Sequence, residues 1–206
     1  IFSMVLNCMG IIILQLSEEN ISYTNLGFLE AFKDLPIAIF SLFAATFINR
    51  FGSKPSLIFS LLTVAVCSLL LPFVGGFWFF KLWFAIIGIS FSVAKISVYG
   101  ILRNNILQET PLAKVMSSVE ASFMIGIFVV NIVFGWLISS QYSDYWKFGF
   151  WIISLLAFGN VFLLMNTKMA GDAGSSQIFS LREVTEFFSR KYFIFFLIIF
   201  SIVFIE

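Results

Sequence analysis

Ionisable side chains inside long apolar runs are the residues of this sequence best placed to do chemistry. On insertion scales a charge at the centre of a membrane costs about 2.5–3.5 kcal/mol. Lys95 is the clearest example, because it lies deep inside the apolar run 77–102. Such a side chain persists where it faces a water-filled cavity or an oppositely charged partner.

Small and polar side chains accompany Lys95 at helical spacing. They recur at intervals of four, three, four and four residues: Gly88, Ser92, Lys95, Tyr99 and Arg103. This periodicity places them on one face of a helix. Contact between such a polar face and lipid is unfavourable, so we expect the face to point toward a bundle interior or a water-filled path.

The next apolar run supplies a carboxylate at a matching depth. Lys95 lies eight residues before Arg103, and Glu120 lies six residues after Lys114. At 1.5 Å per residue, both lie about 9–12 Å in from the loop between the two runs. We therefore expect Lys95 and Glu120 to form an ion pair. The pair would either hold two helices together, or serve as an opening salt bridge or a proton site.

Asp34 is a third candidate, in the second apolar run, where it follows Glu30 and Lys33 within about one helical turn. One interpretation is a charge cluster at the membrane interface, with Lys33 reaching toward water. The other makes Asp34 a proton-coupling or substrate-binding carboxylate beside a backbone that Pro36 loosens.

Transmembrane helices are predicted to carry all of these residues. Hydrophobic residues make up 60% of the chain and charged residues 11%, with a mean hydropathy of +1.03. A soluble domain carries about 25% charged residues, so lipid must act here as part of the solvent. Histidine is absent, and Cys8 and Cys67 lie inside apolar runs. We therefore expect no metal, no cofactor and no disulfide. We also expect no nucleic-acid partner.

Apolar runs of about 20 residues predict six membrane-spanning helices and the start of a seventh. The predicted runs are 1–16, 26–48, 56–74, 77–102, 115–138 and 147–164, with a last run beginning near Lys191. We expect an all-α, polytopic transmembrane helix bundle over 1–166, a central linker over 167–190 and the start of a second bundle over 191–206. Both ends fall inside apolar runs, so we expect a fragment whose C-terminal half is missing.

Lysine and arginine residues are divided unequally between the two sides of this bundle. One side holds eight of them: Arg50, Lys54, Arg103, Lys114, Lys168, Arg182, Arg190 and Lys191. The other side holds three: Lys33, Lys81 and Lys147. Cytoplasmic loops carry the excess of lysine and arginine, so we expect the chain to start toward the cytoplasm.

Four tryptophans lie near the outer helix ends and are expected to anchor the helices at the membrane interface: Trp78, Trp83, Trp146 and Trp151.

The turn between the second and third runs carries the most specific motif. It reads Ala45-Thr46-Phe47-Ile48-Asn49-Arg50-Phe51-Gly52-Ser53-Lys54. Gly52 permits a tight turn, and Arg50 and Lys54 place two cations on the cytoplasmic side. This segment resembles the pattern Gly-x-x-x-Asp-Arg-x-Gly-Arg-Lys of the major facilitator superfamily. Arg50, Gly52 and Lys54 match that pattern, whereas Asn49 replaces its Asp.

The resemblance implies two six-helix bundles joined by a cytoplasmic linker. It also implies a secondary active transporter that works by alternating access on a small polar solute, a sugar or a metabolite. Proton coupling would use Asp34 or Glu120. In that family helices 1 and 4 line the central cavity, which makes Asn7 a candidate substrate contact. The other candidate cavity residues are Ser92, Lys95, Tyr99 and Asn131.

Two alternatives remain open. A drug or metabolite efflux antiporter would share the fold. A membrane-embedded enzyme would belong to a different class, with its catalytic part missing here, but no acid–base set or nucleophile elbow is visible. We expect no enzymatic activity. The expected partners are a small-molecule substrate, protons, the lipid bilayer and the missing half, in a multi-pass protein of the plasma or inner membrane.

Overall fold

The computed structural model describes residues 1–18, 23–141 and 143–167. These residues belong to one compact unit, Ile1–Gly174. Their regular structure is helical and includes no strand within the described ranges, which confirms the all-α prediction. The predicted linker, apart from Thr167, and the predicted seventh helix lie outside the described residues.

Seven α-helices follow one another in the described part of the chain. They are α1 Phe2–Asn7, α2 Met9–Glu18, α3 Tyr23–Phe51, α4 Ser53–Leu70, α5 Phe77–Asn105, α6 Glu109–Ser139 and α7 Gly149–Asn166. The 3-10 helix Leu71–Phe73 follows α4, and the 3-10 helix Ser143–Phe148 precedes α7. Several helices extend beyond the predicted apolar runs, because polar residues at a helix end can reach the headgroup region without breaking the helix.

The first predicted run forms two helices, α1 and α2, rather than one. The side-chain amide of Asn7 donates a hydrogen bond to the Ser3 carbonyl oxygen at 2.8 Å, and α1 ends at this point. The Cys8 amide donates to the Met4 carbonyl at 3.0 Å, and the Ile12 amide donates to the Cys8 carbonyl at 3.0 Å. The backbone hydrogen bonds therefore continue across the break.

Five helical stretches in the described residues are long and apolar enough to cross a membrane. They are Asn25–Phe51, Ser53–Phe73, Phe77–Asn105, Glu109–Ser139 and Asp144–Asn166. The apolar stretch Phe2–Ser17, which α1 and α2 form together, is shorter. Large apolar side chains point outward from these stretches. Leu155 is 74% exposed and Phe59 is 63% exposed. Acyl chains would cover such a surface in a bilayer.

Serine residues fill many of the buried helix contacts. The buried serines of the long helices are Ser53, Ser56, Ser60 and Ser68 on α4, Ser90, Ser92 and Ser97 on α5, and Ser154 on α7. Small side chains let helices approach closely where apolar burial gives no advantage over lipid. The Ser154 hydroxyl also donates a hydrogen bond to the Ala65 carbonyl at 2.8 Å, which joins α7 to α4.

Helices α3 and α5 approach each other closely at Gly88. A Cβ atom at this position would lie 2.6 Å from the Lys33 carbonyl oxygen and 3.2 Å from Cγ1 of Ile37. One turn along α5, the Ser92 hydroxyl donates a hydrogen bond to the Ile37 carbonyl at 3.0 Å. Ile37 follows Pro36, which lies inside α3. The α5 contact therefore supports α3 beside its proline.

An aromatic cluster near one end of the bundle contains two of the four tryptophans expected at the interface. Trp83 is 2% exposed and Trp146 is 6% exposed, so the anchoring prediction is wrong for both. The Trp83 indole donates a hydrogen bond to the Cys67 carbonyl at 3.1 Å, and its ring centroid lies 5.6 Å from that of Phe150. Because the Trp83 indole N–H has its hydrogen-bond acceptor inside the protein, this side chain does not need the lipid headgroups as partners.

Candidate functional site

A cavity of about 450 Å³ lies among α1, α4, α5, α6 and α7. This volume falls in the range of about 300–1,000 Å³ that is usual for small-molecule sites. Its polar lining residues are Ser3, Lys95, Tyr99, Glu120, Ser122 and Asn160. Apolar side chains form most of the remaining wall. The cavity thus combines a mainly apolar surface with a few polar groups, as small-molecule sites commonly do.

Three phenylalanine rings form a continuous part of this wall. The centroid of Phe91 lies 5.9 Å from that of Phe2 and 6.0 Å from that of Phe123. The three rings come from α5, α1 and α6. Nearby, α1 and α6 pack closely, as shown by Gly126, where an added Cβ atom would clash with Oγ of Ser3.

Tyr99 and Glu120 meet across the contact between α5 and α6. The Tyr99 hydroxyl donates a hydrogen bond to Oε1 of Glu120, and both residues line the cavity. Glu120 is exposed even though it lines the cavity. The hydrogen bond from Tyr99 holds one oxygen of this carboxylate in place.

The predicted ion pair between Lys95 and Glu120 is not formed. Among the described residues, the ion pair within 4.0 Å joins Lys33 and Asp34, at 3.5 Å. The Lys95 ammonium instead lies 6.0 Å from the ring centroids of Phe91 and Tyr99, one helical turn to either side of it. The depths of Lys95 and Glu120, estimated from their distance along the sequence to the loop, are similar, and both residues do line the cavity. These depths do not reveal that Tyr99 binds the carboxylate of Glu120.

The polar face predicted around Lys95 does not point to a single environment. Gly88 and Ser92 contact α3, whereas Lys95 and Tyr99 line the cavity. Arg103, in the last turn of α5, is exposed. The face divides because α3 packs against α5 at Gly88 and Ser92, whereas Lys95 and Tyr99 lie beside the cavity.

Three predicted substrate contacts lie outside the lining of this cavity. Asn7 donates its amide hydrogen bond within α1, to Ser3. Ser92 is buried, and its hydroxyl lies within hydrogen-bonding distance of both the Ile37 and Gly88 carbonyls. Asn131 lies exposed on α6. Their roles in substrate binding stay predictions.

Asp34 also lies outside the cavity lining. Its side chain is 64% exposed and pairs with that of Lys33, which is 17% exposed. This geometry fits the charge-cluster interpretation, and a coupling role for Asp34 stays a prediction.

The turn between α3 and α4 has the geometry that its glycine suggested. Gly52 has a φ of 89°, a conformation that favours glycine. The Lys54 ammonium, near the start of α4, donates a hydrogen bond to the Thr167 carbonyl at 2.7 Å. Thr167 is the C-cap of α7, where a cation is favourable for the helix dipole.

Three residues line the cavity although no sequence pattern indicated them: Asn160, Ser3 and Ser122. Asn160 lies in the middle of α7, where its amide donates a hydrogen bond to the Leu156 carbonyl at 2.8 Å and leaves the side-chain oxygen as an acceptor. A lone amide in an otherwise apolar span was the signal that could have identified it. Serines are frequent at helix contacts throughout this chain, so Ser3 and Ser122 carried no comparable signal.

Two comparisons with known proteins complete this description. A family model described as Major Facilitator Superfamily matches residues 1–205. Comparison with curated proteins gives no match.

Proposed function

Because the chain belongs to the major facilitator superfamily, a family of membrane transporters, we propose that it forms half of a secondary active transporter for a small polar solute. The protein is a multi-pass membrane protein. The observation that carries the proposal is the cavity in which Lys95, Tyr99 and Glu120 come together. The membrane-enzyme alternative loses its support, since members of this family are transporters rather than enzymes.

In this proposal the cavity is one wall of the substrate site, and a second bundle supplies the other. Alternating access then exposes the site to each side of the membrane in turn as the two bundles rock. The start of the chain would face the cytoplasm of the cell, in the plasma or inner membrane. Residues 167–190 would link the bundles on the same side, as the charge bias indicates.

Lys95 is the residue expected to select the substrate. No carboxylate among the described residues neutralises its ammonium group within 4.0 Å. An anionic or strongly hydrogen-bonding group of a solute could therefore bind it directly. The rings of Phe2, Phe91 and Phe123 suit an apolar portion of the same molecule. These features favour a metabolite with one charged group over a sugar, whose many hydroxyls would need more polar partners.

Glu120 is the preferred proton site in this proposal. It lines the same cavity as Lys95, whereas Asp34 is paired with Lys33 elsewhere. Protonation of Glu120 would remove a negative charge from the cavity and so favour the binding of an anionic solute near Lys95. Proton and substrate would then bind together, which is the requirement for symport.

An efflux antiporter is the second candidate function, and the aromatic wall favours it. Three rings beside a carboxylate could bind an apolar cation, since aromatic faces and Glu120 both attract positive charge. In that case protons and substrate would compete for Glu120 rather than bind together. The sign of the response to a pH gradient separates the two mechanisms.

Transport by the full-length protein in proteoliposomes tests these proposals. Labelled sugars, anionic metabolites and apolar cations are supplied with and without a pH gradient. For a symporter of an anionic metabolite, the Lys95→Met change should raise KM at least about tenfold through loss of a charge-assisted hydrogen bond. The control Lys114→Met removes an exposed cation outside the cavity lining and should leave KM unchanged.

The Glu120→Gln variant tests the coupling separately. It should abolish stimulation by the pH gradient while exchange of substrate across the membrane continues. Glu109→Gln is the matched control, because Glu109 is exposed at the start of α6 and does not line the cavity. Unchanged transport in both Lys95→Met and Glu120→Gln would remove this cavity from the mechanism.

A further inference from the structure

A second concave surface lies among α3, α4 and α5, outside the proposed substrate cavity. It encloses about 340 Å³, and four phenylalanines contribute to its lining: Phe40, Phe43, Phe47 and Phe59. We call it the phenylalanine groove. Phe59 is 63% exposed and Phe43 is 52% exposed, so the groove opens to the outside of the bundle.

The groove offers no hydroxyl hydrogen to a polar ligand. Its three hydroxyl groups belong to Ser60, Thr63 and Ser90. Each donates a hydrogen bond to the carbonyl four residues earlier in its own helix, at 2.9 Å in all three cases. A polar solute would have to give up hydrogen bonds to water without replacement. The groove therefore suits a hydrocarbon chain.

A cation lies at one end of the groove. Phe40, Phe43, Phe47 and Arg50 follow one another at intervals of three, four and three residues, so they share one face of α3. Arg50 is exposed in the last turn of α3, about 4–5 Å beyond Phe47 along the helix axis. It belongs to the basic turn before α4, where lipid headgroups are expected.

The dimensions also fit one leaflet of a bilayer. From Phe40 to Phe47 the groove runs about 10 Å along α3. Half of the hydrocarbon core is about 15 Å thick. A chain held in the groove would thus place its charged end near Arg50 and its tail toward the membrane centre.

We propose that the phenylalanine groove and Arg50 form a binding site for an anionic phospholipid of the leaflet that contacts the turn between α3 and α4. One acyl chain lies against the four rings, and the phosphate-containing headgroup binds the Arg50 guanidinium. Guanidinium and phosphate groups form paired hydrogen bonds. This site is independent of the substrate cavity, because the two linings share no residue.

Photolabelling of the full-length protein in nanodiscs tests the site. Phosphatidylglycerol and phosphatidylcholine, each with a photoactivatable diazirine in one acyl chain, are compared at equal amounts, and labelled peptides are identified by mass spectrometry. We expect phosphatidylglycerol to label the groove segments of α3, α4 and α5 several-fold more than phosphatidylcholine does. One cation near the surface accounts for a preference of about fivefold.

Two variants separate the groove from the cation. Thr63→Trp should fill the groove and remove most of its labelling, while the control Leu62→Trp adds the same ring at a neighbouring position outside the groove lining. Arg50→Gln should abolish the preference for phosphatidylglycerol but keep acyl labelling, and Lys114→Gln should change neither.

Three outcomes would overturn the proposal. Labelling of the groove no stronger than that of the exposed face of α7 would indicate bulk lipid only. Absent groove labelling would indicate that another part of the full-length chain covers it. A preference for phosphatidylglycerol that survives Arg50→Gln would remove Arg50 from the site.

Discussion

The hydroxyl group of Tyr99 on α5 donates a hydrogen bond to the carboxylate of Glu120 on α6, so two helices meet at a charged group inside the cavity. This contact replaces the ion pair that depth alone suggested for Lys95 and Glu120. It keeps the carboxylate in place and leaves the Lys95 ammonium without a carboxylate partner among the described residues. Both effects bear on what the cavity can bind.

The energetic coupling of Tyr99 and Glu120 can be measured with a double-mutant cycle. Tyr99→Phe and Glu120→Ala, singly and together, should give a coupling free energy of about 1 kcal/mol, because a partly exposed hydrogen bond contributes in this range. Thermal unfolding of the purified protein in detergent provides the measurement. A cycle of Tyr99→Phe with Glu109→Ala should give no coupling. The same result for Glu120→Ala would mean that the bond is absent in the protein.

The Gly88→Ala change should destabilise the contact between α3 and α5. Its Cβ would lie 2.6 Å from the Lys33 carbonyl oxygen, so the backbones of the two helices would have to separate. We expect a loss of about 1–3 kcal/mol in the free energy of unfolding, as for other overpacked sites. The control is Gly159→Ala in α7, where no atom lies within 4 Å of the added Cβ. An equal effect of both changes would contradict the close approach.

The two tryptophans Trp83 and Trp78 should respond differently to truncation. Trp83→Ala removes a side chain that is 2% exposed and hydrogen-bonded to Cys67, and should cost about 3–5 kcal/mol. Trp78→Ala removes one that is 75% exposed and should change the unfolding free energy by less than about 0.5 kcal/mol. Unfolding in detergent compares the two variants directly. A larger loss for Trp78→Ala would refute the placement of Trp83 in the core.

Lys54 should stabilise the end of α7. Its ammonium donates a hydrogen bond to the Thr167 carbonyl at 2.7 Å, and a cation at a helix C-terminus contributes about 0.3–1 kcal/mol. Lys54→Gln should therefore speed amide hydrogen exchange in the last turn of α7 about two- to fivefold. Lys54→Arg should preserve the protection, and Lys114→Gln should have no effect. Unchanged exchange in Lys54→Gln would mean that the contact contributes nothing in solution.

Some features of this protein followed from local sequence. Runs of apolar residues are sufficient to predict a membrane-spanning helix, because the backbone in lipid must satisfy its own hydrogen bonds. The positions of α3 to α7 were therefore predictable to within several residues of their ends. The tight turn at Gly52 was also predictable, because a positive φ depends on one residue and its neighbours and is favoured by glycine.

The candidate site required the tertiary structure. Counting along helices estimated how deep Lys95 and Glu120 lie, and both line one cavity. Which groups touch there depends on where the helices cross and how each is rotated, and neither is a local property. The packing of α3 against α5 placed Ser92 at the Ile37 carbonyl, while the contact of α5 with α6 brought Tyr99 to Glu120.

Trp83 and Asn160 show the same division. An outer-end tryptophan suits the interface by its chemistry, but the carbonyl of Cys67 offers the Trp83 indole an internal partner. Asn160 became a cavity residue only because α7 packs beside α4. Local sequence was thus enough to place the chain in a membrane and to locate its helices approximately. The contacts between helices decided which side chains share a site, because those contacts join residues far apart in the chain.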